Sequence, residues 1–375
     1  MQSRAAVLCR PEVLELWDFE VPEIAPDAML LKVDQVGLCG TDKHLYHGHF
    51  KVNFPIIPGH EFTGTLVRIG PEALEHITVF GGPVQEGDRV VVAPSSGPCG
   101  RCFSCRHFPH RTALCTNRTA HGFLNCQQPP YLLGGLSEYL YLRPNSWIFK
   151  LPEGMPYPRA VLAEPAAVAL RAVERALAPG VPIVGEGLSL GKTALVLGCG
   201  PVGLLMVAVL KHCGITQVIA LDRVESRVAA ARQMGADAVC NTRDLTPEER
   251  LEFVLSQTEG GGAHVVFESV GVPSAFQEAL DYVCRGGILI ESGHFTDTGT
   301  VEIHPFQICH KDIDIRGMWA YPLLEFREAL RFLHATPTPV DLLLTHSLPL
   351  EEVERGIHLM SEPEGVLKIV IHPGP

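Results

Sequence analysis

Positive charge is scarce in this chain: 30 Lys and Arg stand against 42 Asp and Glu, for a formal net charge of −12. No Lys/Arg-rich run occurs, which argues against a nucleic-acid backbone or an anionic membrane as partner. Long hydrophobic runs are missing as well. The longest apolar stretches, such as Leu204–Leu210, fall far short of the roughly 20 residues that span a bilayer. Met1 to Arg10 hold no apolar core of a signal peptide. Internal repeats and low-complexity tracts are absent, and with 46% apolar and 19% charged residues there is no excess of the disordered type. These absences lead to the expectation of a soluble, cytoplasmic protein that binds neither nucleic acid nor membrane. The 375 residues are enough for two domains of about 100–200 residues each.

Cysteine is plentiful, at twelve. In a reducing compartment a disulfide framework is not expected, and clustered cysteines there are more often metal ligands. Cys99, Cys102, Cys105 and Cys115 fall within 17 residues. Four closely spaced thiolates can close a tetrahedral site and leave no position open for chemistry, so the reading is a structural zinc. Buried free thiols and an iron–sulfur cluster are the alternatives. The surrounding Cys99–Pro130 stretch has almost no periodicity, as though something other than a hydrophobic core holds it together.

The first 150 residues carry short β-type runs, such as Leu30–Val36 and Arg89–Ala93, separated by Gly/Pro turns. From Ala160 the texture changes. A helical Ala160–Leu177 is followed by strand Ala194–Leu197, helix Val202–Cys213, strand Gln217–Leu221, helix Arg223–Met234 and the short strand Ala238–Cys240. Strand His264–Phe267, helix Ser274–Cys284 and strand Gly287–Ile290 continue the alternation, which predicts an α/β domain with a doubly wound parallel sheet. An amphipathic helix Leu323–His334 follows, and a last apolar strand, Gly365–Ile371, is placed to return to the first domain.

Gly198-Cys199-Gly200-Pro201-Val202-Gly203 fits the dinucleotide pattern G-x-G-x-x-G. It follows an apolar strand, opens a helix and precedes Asp222 by about 20 residues, the context that pattern needs. The glycines allow backbone N–H groups to approach a pyrophosphate at a helix N-terminus. Asp222 can accept from both adenosine ribose hydroxyls and would repel a 2′-phosphate, which favours NAD. Arg223 and Arg227 temper that preference. Upstream, the segment Gly185 to Thr193 imitates a phosphate loop, G-x-x-x-x-G-K-[ST]. Five residues separate Gly185 from Gly191 and only three follow Gly187, and the segment precedes a strand instead of following one.

Cys39, in Gly37-Leu38-Cys39-Gly40-Thr41-Asp42, His60-Glu61 and Glu164 are each metal-ligand types. Singly they have bland readings, a core thiol or a surface pair, and spacing alone does not bring them together. In this order, however, they resemble the zinc-containing medium-chain alcohol/polyol dehydrogenase family. The likeness rests on Gly37 to Asp42 with His44, Pro58-Gly59-His60-Glu61, Gly87-Asp88-Arg89-Val90, the four-cysteine lobe, Gly134 to Tyr139, Glu164-Pro165 and the nucleotide fingerprint, and it covers essentially the whole chain.

The resemblance implies a split, β-rich GroES-like catalytic domain, residues 1–167 and 320–375, with a structural-zinc lobe at about 95–118. A Rossmann NAD-binding domain, residues 168–319, is inserted into it. It implies Cys39, His60 and Glu164 as ligands of a catalytic zinc, the second zinc of the chain, with Glu61 a direct ligand or a neighbour that exchanges with one. Zinc then acts as a Lewis acid on the substrate oxygen while hydride passes to the nicotinamide. Thr41 looks like the first proton-relay group. His44 looks like its terminal base, reached through the nicotinamide ribose. Val270, Ser292, Gly293, His294, Gly317, Met318 and Trp319 would hold the nicotinamide end, and Phe50, His47 and Trp319 are candidates for substrate contact. Glutamate at 164, where alcohol dehydrogenases of the horse-liver type carry cysteine, leans the substrate towards a polyol, sugar or cyclitol. The small-molecule substrate is thus an alcohol or its ketone, and a homodimer or homotetramer is expected. Alternatives are a simple-alcohol dehydrogenase, a zinc-free quinone or enone reductase, and a non-catalytic nucleotide- or zinc-binding relative. Two departures stand out: nine residues separate Cys105 from Cys115, where seven is common in the family, and Pro182–Lys192 lengthens the link into the fingerprint strand.

Overall fold

Alternation of apolar residues makes Met29–Gly37 a strand buried along nearly its whole length, and the rest of the first unit is organised around it. In the computed structural model, which describes residues 1–177, 187–189 and 191–374, this strand pairs antiparallel with Glu61–Ile69. That strand in turn pairs with Arg89–Ala93. On its other side Met29–Gly37 meets the C-terminal strand Lys368–His372, with Val370 opposite Gly37. The chain therefore does return to its first unit, although the strand starts at Lys368 and Gly365 sits in the preceding turn with φ +74°. This unit comprises 1–164, 321–335 and 343–375.

The second unit, 165–320 with 336–342, is built on six parallel strands. Their order across the sheet is Ala238–Asn241, Gln217–Asp222, Thr193–Leu197, Ala263–Glu268, Val283–Glu291 and Asp314–Gly317. Counted along the chain this is 3-2-1-4-5-6, the doubly wound order in which the strand order, not the strand direction, reverses between Thr193–Leu197 and Ala263–Glu268. Dinucleotides bind at the carboxyl ends beside such a reversal. Helix Pro201–His212 starts there and buries every residue from Gly203 to Leu210. Gly203 costs such a helix about 1 kcal/mol relative to alanine, while each buried leucine, valine or methionine contributes about 1.5–3 kcal/mol, so packing decides. Gly203 is also sterically required: a Cβ there would lie 1.9 Å from the carbonyl oxygen of Gly198.

Several expected elements shift. The Ala160–Leu177 helix divides into a 3-10 turn, Tyr157–Leu162, and an α-helix, Ala163–Ala176. Pro158 has no N–H to give, and the chain enters the helix only after it. The Arg223–Met234 helix begins at Glu225, because Asp222 binds the N–H of Val224 and holds the chain extended there. The Cys99–Pro130 stretch is less featureless than its pattern implies, with short helices at Phe103–His107 and Thr112–Leu114. Most of the Pro182–Lys192 insertion, and Gly185 with it, lies outside the described residues. Among the described residues no helix is long and apolar enough to cross a membrane.

Candidate functional site

Cys39 lies two residues beyond strand Met29–Gly37 and caps helix Gly40–Tyr46. Asp42, three residues on, accepts the N–H of Cys39 at 2.9 Å and, through its other oxygen, the N–H of Gly59 at 3.2 Å. One buried carboxylate thus ties the Cys39 turn to the His60 turn. Strand register does the rest, since Gly37 lies opposite Glu61. A Cβ at Gly37 would fall 2.3 Å from Glu61 Oε2, so only glycine leaves room for that carboxylate. The outcome is that Cys39, His60 and Glu61 bring ligand atoms within 4.8 Å of one another.

The donor set suits a zinc ion: one sulfur, one imidazole and one carboxylate oxygen leave a fourth position free. His60 Nδ1 is buried without a hydrogen-bond partner, and Asp42 Oδ1 lies 3.7 Å away, an ion-pair distance too long for a hydrogen bond. Burial pushes His60 down, but Asp42 and then Cys39 hold it well above its ordinary value. A cation bound by the ring would displace that proton. Burial likewise opposes the charge of Asp42, yet His60 and the two backbone N–H groups keep its carboxyl below the usual range.

Glu61 is completely enclosed and its partner is a residue for which the sequence gives no hint. Lys368, 2% exposed, donates to both carboxylate oxygens at 2.6 and 2.9 Å and to the carbonyl of Leu38 at 3.1 Å. Burial raises Glu61 to about 7, with Lys368 opposing the rise and Glu164 adding to it. Glu164 stands outside the group of three and accepts a hydrogen bond from the buried hydroxyl of Tyr321 at 2.7 Å. The Cys39 thiol donates to Thr41 Oγ1 at 3.8 Å. Thr41 and His44, three apart, share one face of their helix. His44 is half-buried, and burial, with the nearby charges of His49, Lys43 and His47, lowers it. Of the candidate substrate contacts, Phe50 packs on Phe123, whose ring also lies 5.6 Å from that of His60. His47 is paired with Glu12 at 3.2 Å.

In the lobe, the four sulfurs of Cys99, Cys102, Cys105 and Cys115 lie within 4.8 Å of one another, and all four are free thiols. Asn117, then backbone donors, bring Cys99 down to about 5. Backbone N–H groups bring Cys102 to about 7. Burial and the neighbouring sulfurs push Cys105 up to about 12. Donors aimed at sulfur and thiols crowded against each other are what a cation would relieve, and the cluster fits a structural zinc site.

The nucleotide candidates gather on the second unit at the carboxyl ends of its strands. Gly200 caps helix Pro201–His212, placing Pro201, Val202 and Gly203 in its first turn. Asp222 accepts the N–H of Cys199 at 2.7 Å and that of Val224 at 2.8 Å, which fixes its carboxylate beside the Gly198 turn. Arg223 is exposed, and Arg227 has a buried Nε without a partner. Ser292 donates to the carbonyl of Glu268, Met318 N–H to that of Glu291, and Trp319 stacks on Phe295 at 4.6 Å. Gly293 lies two residues past strand Val283–Glu291, and Gly317 is the last residue of the neighbouring strand Asp314–Gly317.

Behind these loops lies a cluster that the sequence does not advertise: Glu268, Glu291 and His294. Glu268 is fully buried, and its Oε1 accepts the N–H groups of Val270 and Gly271 at 2.7 and 2.9 Å. Its Oε2 and that of Glu291 are both buried without a donor. His294 Nδ1 lies 2.8 Å from Glu291 and 3.7 Å from Glu268. Burial, then the charge of Glu291, raises Glu268 to about 7.

Comparison with known proteins agrees on both units. Residues 25–153 match the alcohol dehydrogenase GroES-like domain, and 201–335 match the zinc-binding dehydrogenase family. The chain is 31% identical to sorbitol dehydrogenase of Bacillus subtilis over 99% of its own length and 97% of the relative's. It is 30% identical to erythritol/L-threitol dehydrogenase of Mycolicibacterium smegmatis, over 99% and 98%. Among solved structures, an alcohol dehydrogenase from Thermotoga maritima superposes with a TM-score of 0.90 at 26% identity, covering 100% of both chains. A Sinorhizobium meliloti protein described as a zinc-binding dehydrogenase, solved with NADP, superposes at 0.83 with 27% identity over 100% of both. The chain belongs to the zinc-containing medium-chain alcohol/polyol dehydrogenase family and is a dehydrogenase of that class.

Proposed function

We propose that the protein oxidises a polyol or related secondary alcohol with NAD, in a zinc-dependent reaction that also runs in reverse. The convergence of Cys39, His60 and Glu61 beside Thr41 carries the reading. Zinc held by Cys39, His60 and one carboxylate would supply Lewis acidity at the substrate oxygen, and the nicotinamide would accept the hydride. The protein's own groups do the rest. Asp42 ties the His60 turn to the Cys39 turn, and Lys368 neutralises Glu61. Tyr321 holds Glu164, which supports Glu61 as the nearer carboxylate and Glu164 as the group that exchanges with it. Thr41 takes the substrate proton as it releases its own, and His44 is the terminal base, its lowered basicity keeping it neutral and able to accept.

In the second unit the N–H groups of the Gly198–Gly203 turn receive the pyrophosphate. Asp222 receives the adenosine ribose and favours NAD over NADP. Val270, Ser292–His294 and Gly317–Trp319 receive the nicotinamide end. Residues 1–167 with 320–375 thus serve the zinc chemistry, and 168–319 the nucleotide. The names of the relatives support the substrate class: sorbitol, erythritol/L-threitol and D-arabinitol dehydrogenases are all about 30% identical to the chain. A cytoplasmic homodimer or homotetramer completes the proposal, and light scattering of the purified protein reads its mass. The function is tested by NADH absorbance on a panel of polyols, cyclitols, sugars, L-threonine and simple secondary alcohols. Polyols or cyclitols should lead. Simple alcohols leading by a wide margin would overturn the substrate class, and no NADH from any substrate with zinc present would overturn the activity.

A further inference from the structure

The geometry points to His49 as a second proton-relay residue, which takes the proton from His44 and delivers it to bulk water. The inference rests on the reading of His44 as terminal base. Helix Gly40–Tyr46 ends at His47, and Gly48, at φ +72°, turns the chain back on itself. The N–H of His49 then donates to the carbonyl of His44 at 2.9 Å. This reversal sets the two rings side by side, 5.6 Å between centroids, with Nδ1 facing Nδ1 at 3.3 Å.

Two ring nitrogens can bond each other only if one carries a proton and the other does not. One proton therefore lies between His44 and His49, and its transfer needs no movement of either backbone. Accessibility runs in the right direction, since His44 is half-buried and His49 exposed. The charged neighbours are arranged against trapping. Lys43 and His47 are on the same helix, His47 lies 5.8 Å from the His49 ring, and Glu12, from the opening hairpin, is engaged by His47. From the helix packed on the other side, Glu354 and His358 are occupied by Tyr46. No carboxylate is paired with either His44 or His49 in the hydrogen bonds and ion pairs described, so nothing there holds the pair as an imidazolium.

The balance closes simply. Each turnover frees one proton from the alcohol. It enters His44 at the far ring nitrogen, leaves from Nδ1 to Nδ1 of His49, and His49 gives its other ring proton to water. The rings then return to their starting tautomers by exchange with solvent, and no oxidant beyond the nicotinamide is used.

The test compares wild type, His49→Gln and His44→Gln as zinc-loaded full-length protein, with NAD and the best substrate of the panel. kcat and KM are followed against pH and against added imidazole at low buffer. Glutamine at 49 can hydrogen-bond His44 but cannot take up its proton and pass one on. His49→Gln should lower kcat about three- to tenfold near pH 6.5 with KM unchanged, and imidazole should restore it. The acid limb of its profile should move to higher pH, because the charge of His49 no longer holds His44 down. An unchanged kcat at low buffer, or a loss that imidazole does not restore, overturns the relay. If His44→Gln slows turnover and His49→Gln does not, only the relay fails. If neither variant changes kcat, the reading of His44 as base fails with it.

Discussion

Replacing Glu268 by glutamine should make the protein more stable at alkaline pH, and the size of the effect follows from its surroundings. The carboxyl is fully buried and raised to about 7 from an ordinary 4.5, first by burial and then by Glu291. A group whose folded value lies above its unfolded one contributes stability that is complete below the unfolded value. That contribution is lost as pH rises through the folded value. For these two values the loss between pH 5.5 and pH 8 is about 2 kcal/mol, at about 1.4 kcal/mol for each pH unit of separation. Glutamine keeps an oxygen for the N–H groups of Val270 and Gly271, and its amide can donate to Glu291, so Glu268→Gln should remove that decline. The assay is urea unfolding of zinc-loaded, nucleotide-free protein at both pH values, monitored through Trp319 of the second unit. Wild type should lose about 2 kcal/mol more than Glu268→Gln between them. Parallel pH trends in the two proteins would refute the facing-carboxyl account, and a variant less stable at pH 8 would refute it more strongly.

Three further outcomes follow from the same geometry. Lys368→Met should destabilise zinc-free protein by about 3–5 kcal/mol, because it leaves Glu61 buried without its counter-charge. Zinc-loaded protein should lose much less, since the cation takes over as partner; equal losses in both forms, by denaturant melts, would argue that Glu61 does not face the metal. Asp222→Ser should raise KM for NAD about tenfold or more and shift kcat/KM towards NADP, through the loss of charge-assisted hydrogen bonds worth about 1.5–3 kcal/mol; initial rates with both nucleotides check it. Cys105→Ser should release one zinc per chain and expose the Cys99–Cys115 lobe to limited proteolysis while Cys39 and His60 keep theirs.

How legible each feature was depended on how local it is. The nucleotide turn was readable because strand, glycines, helix and Asp222 are consecutive, and the alternation around them led directly to the parallel sheet. Four cysteines within 17 residues likewise suggested their own site. Only family likeness assigned a zinc to Cys39, His60 and Glu164, with Glu61 a direct ligand or an exchanging neighbour, whereas the structure groups Cys39, His60 and Glu61. What joins them is strand register, Gly37 opposite Glu61, and the clasp of Asp42, neither of which spacing encodes. Lys368 was invisible for the same reason carried further: it lies 307 residues from Glu61 and meets it only because the last strand docks on Met29–Gly37. A lysine in an apolar strand otherwise reads as an edge residue. Helix Pro247–Ser256 went unread although its signal was present. Thr246 and Glu249 form a reciprocal capping pair, with Thr246 N–H donating to Glu249 at 2.7 Å and Glu249 N–H to Thr246 Oγ1 at 3.2 Å. The Glu268–Glu291 pair had no signal in the pattern, since both residues end strands that read simply as buried.

The central claim is that two metal sites of different kinds exist in one chain, a four-thiolate site that holds structure and a Cys39–His60–carboxylate site that holds chemistry. Elemental analysis of purified wild type beside a Cys39→Ala, His60→Ala double variant tests it most directly. Two zinc ions per chain in the wild type, and one in a folded but inactive double variant, are the predicted result. A wild-type ratio near zero, or a double variant that keeps both zinc ions and its NAD-linked activity, would contradict it.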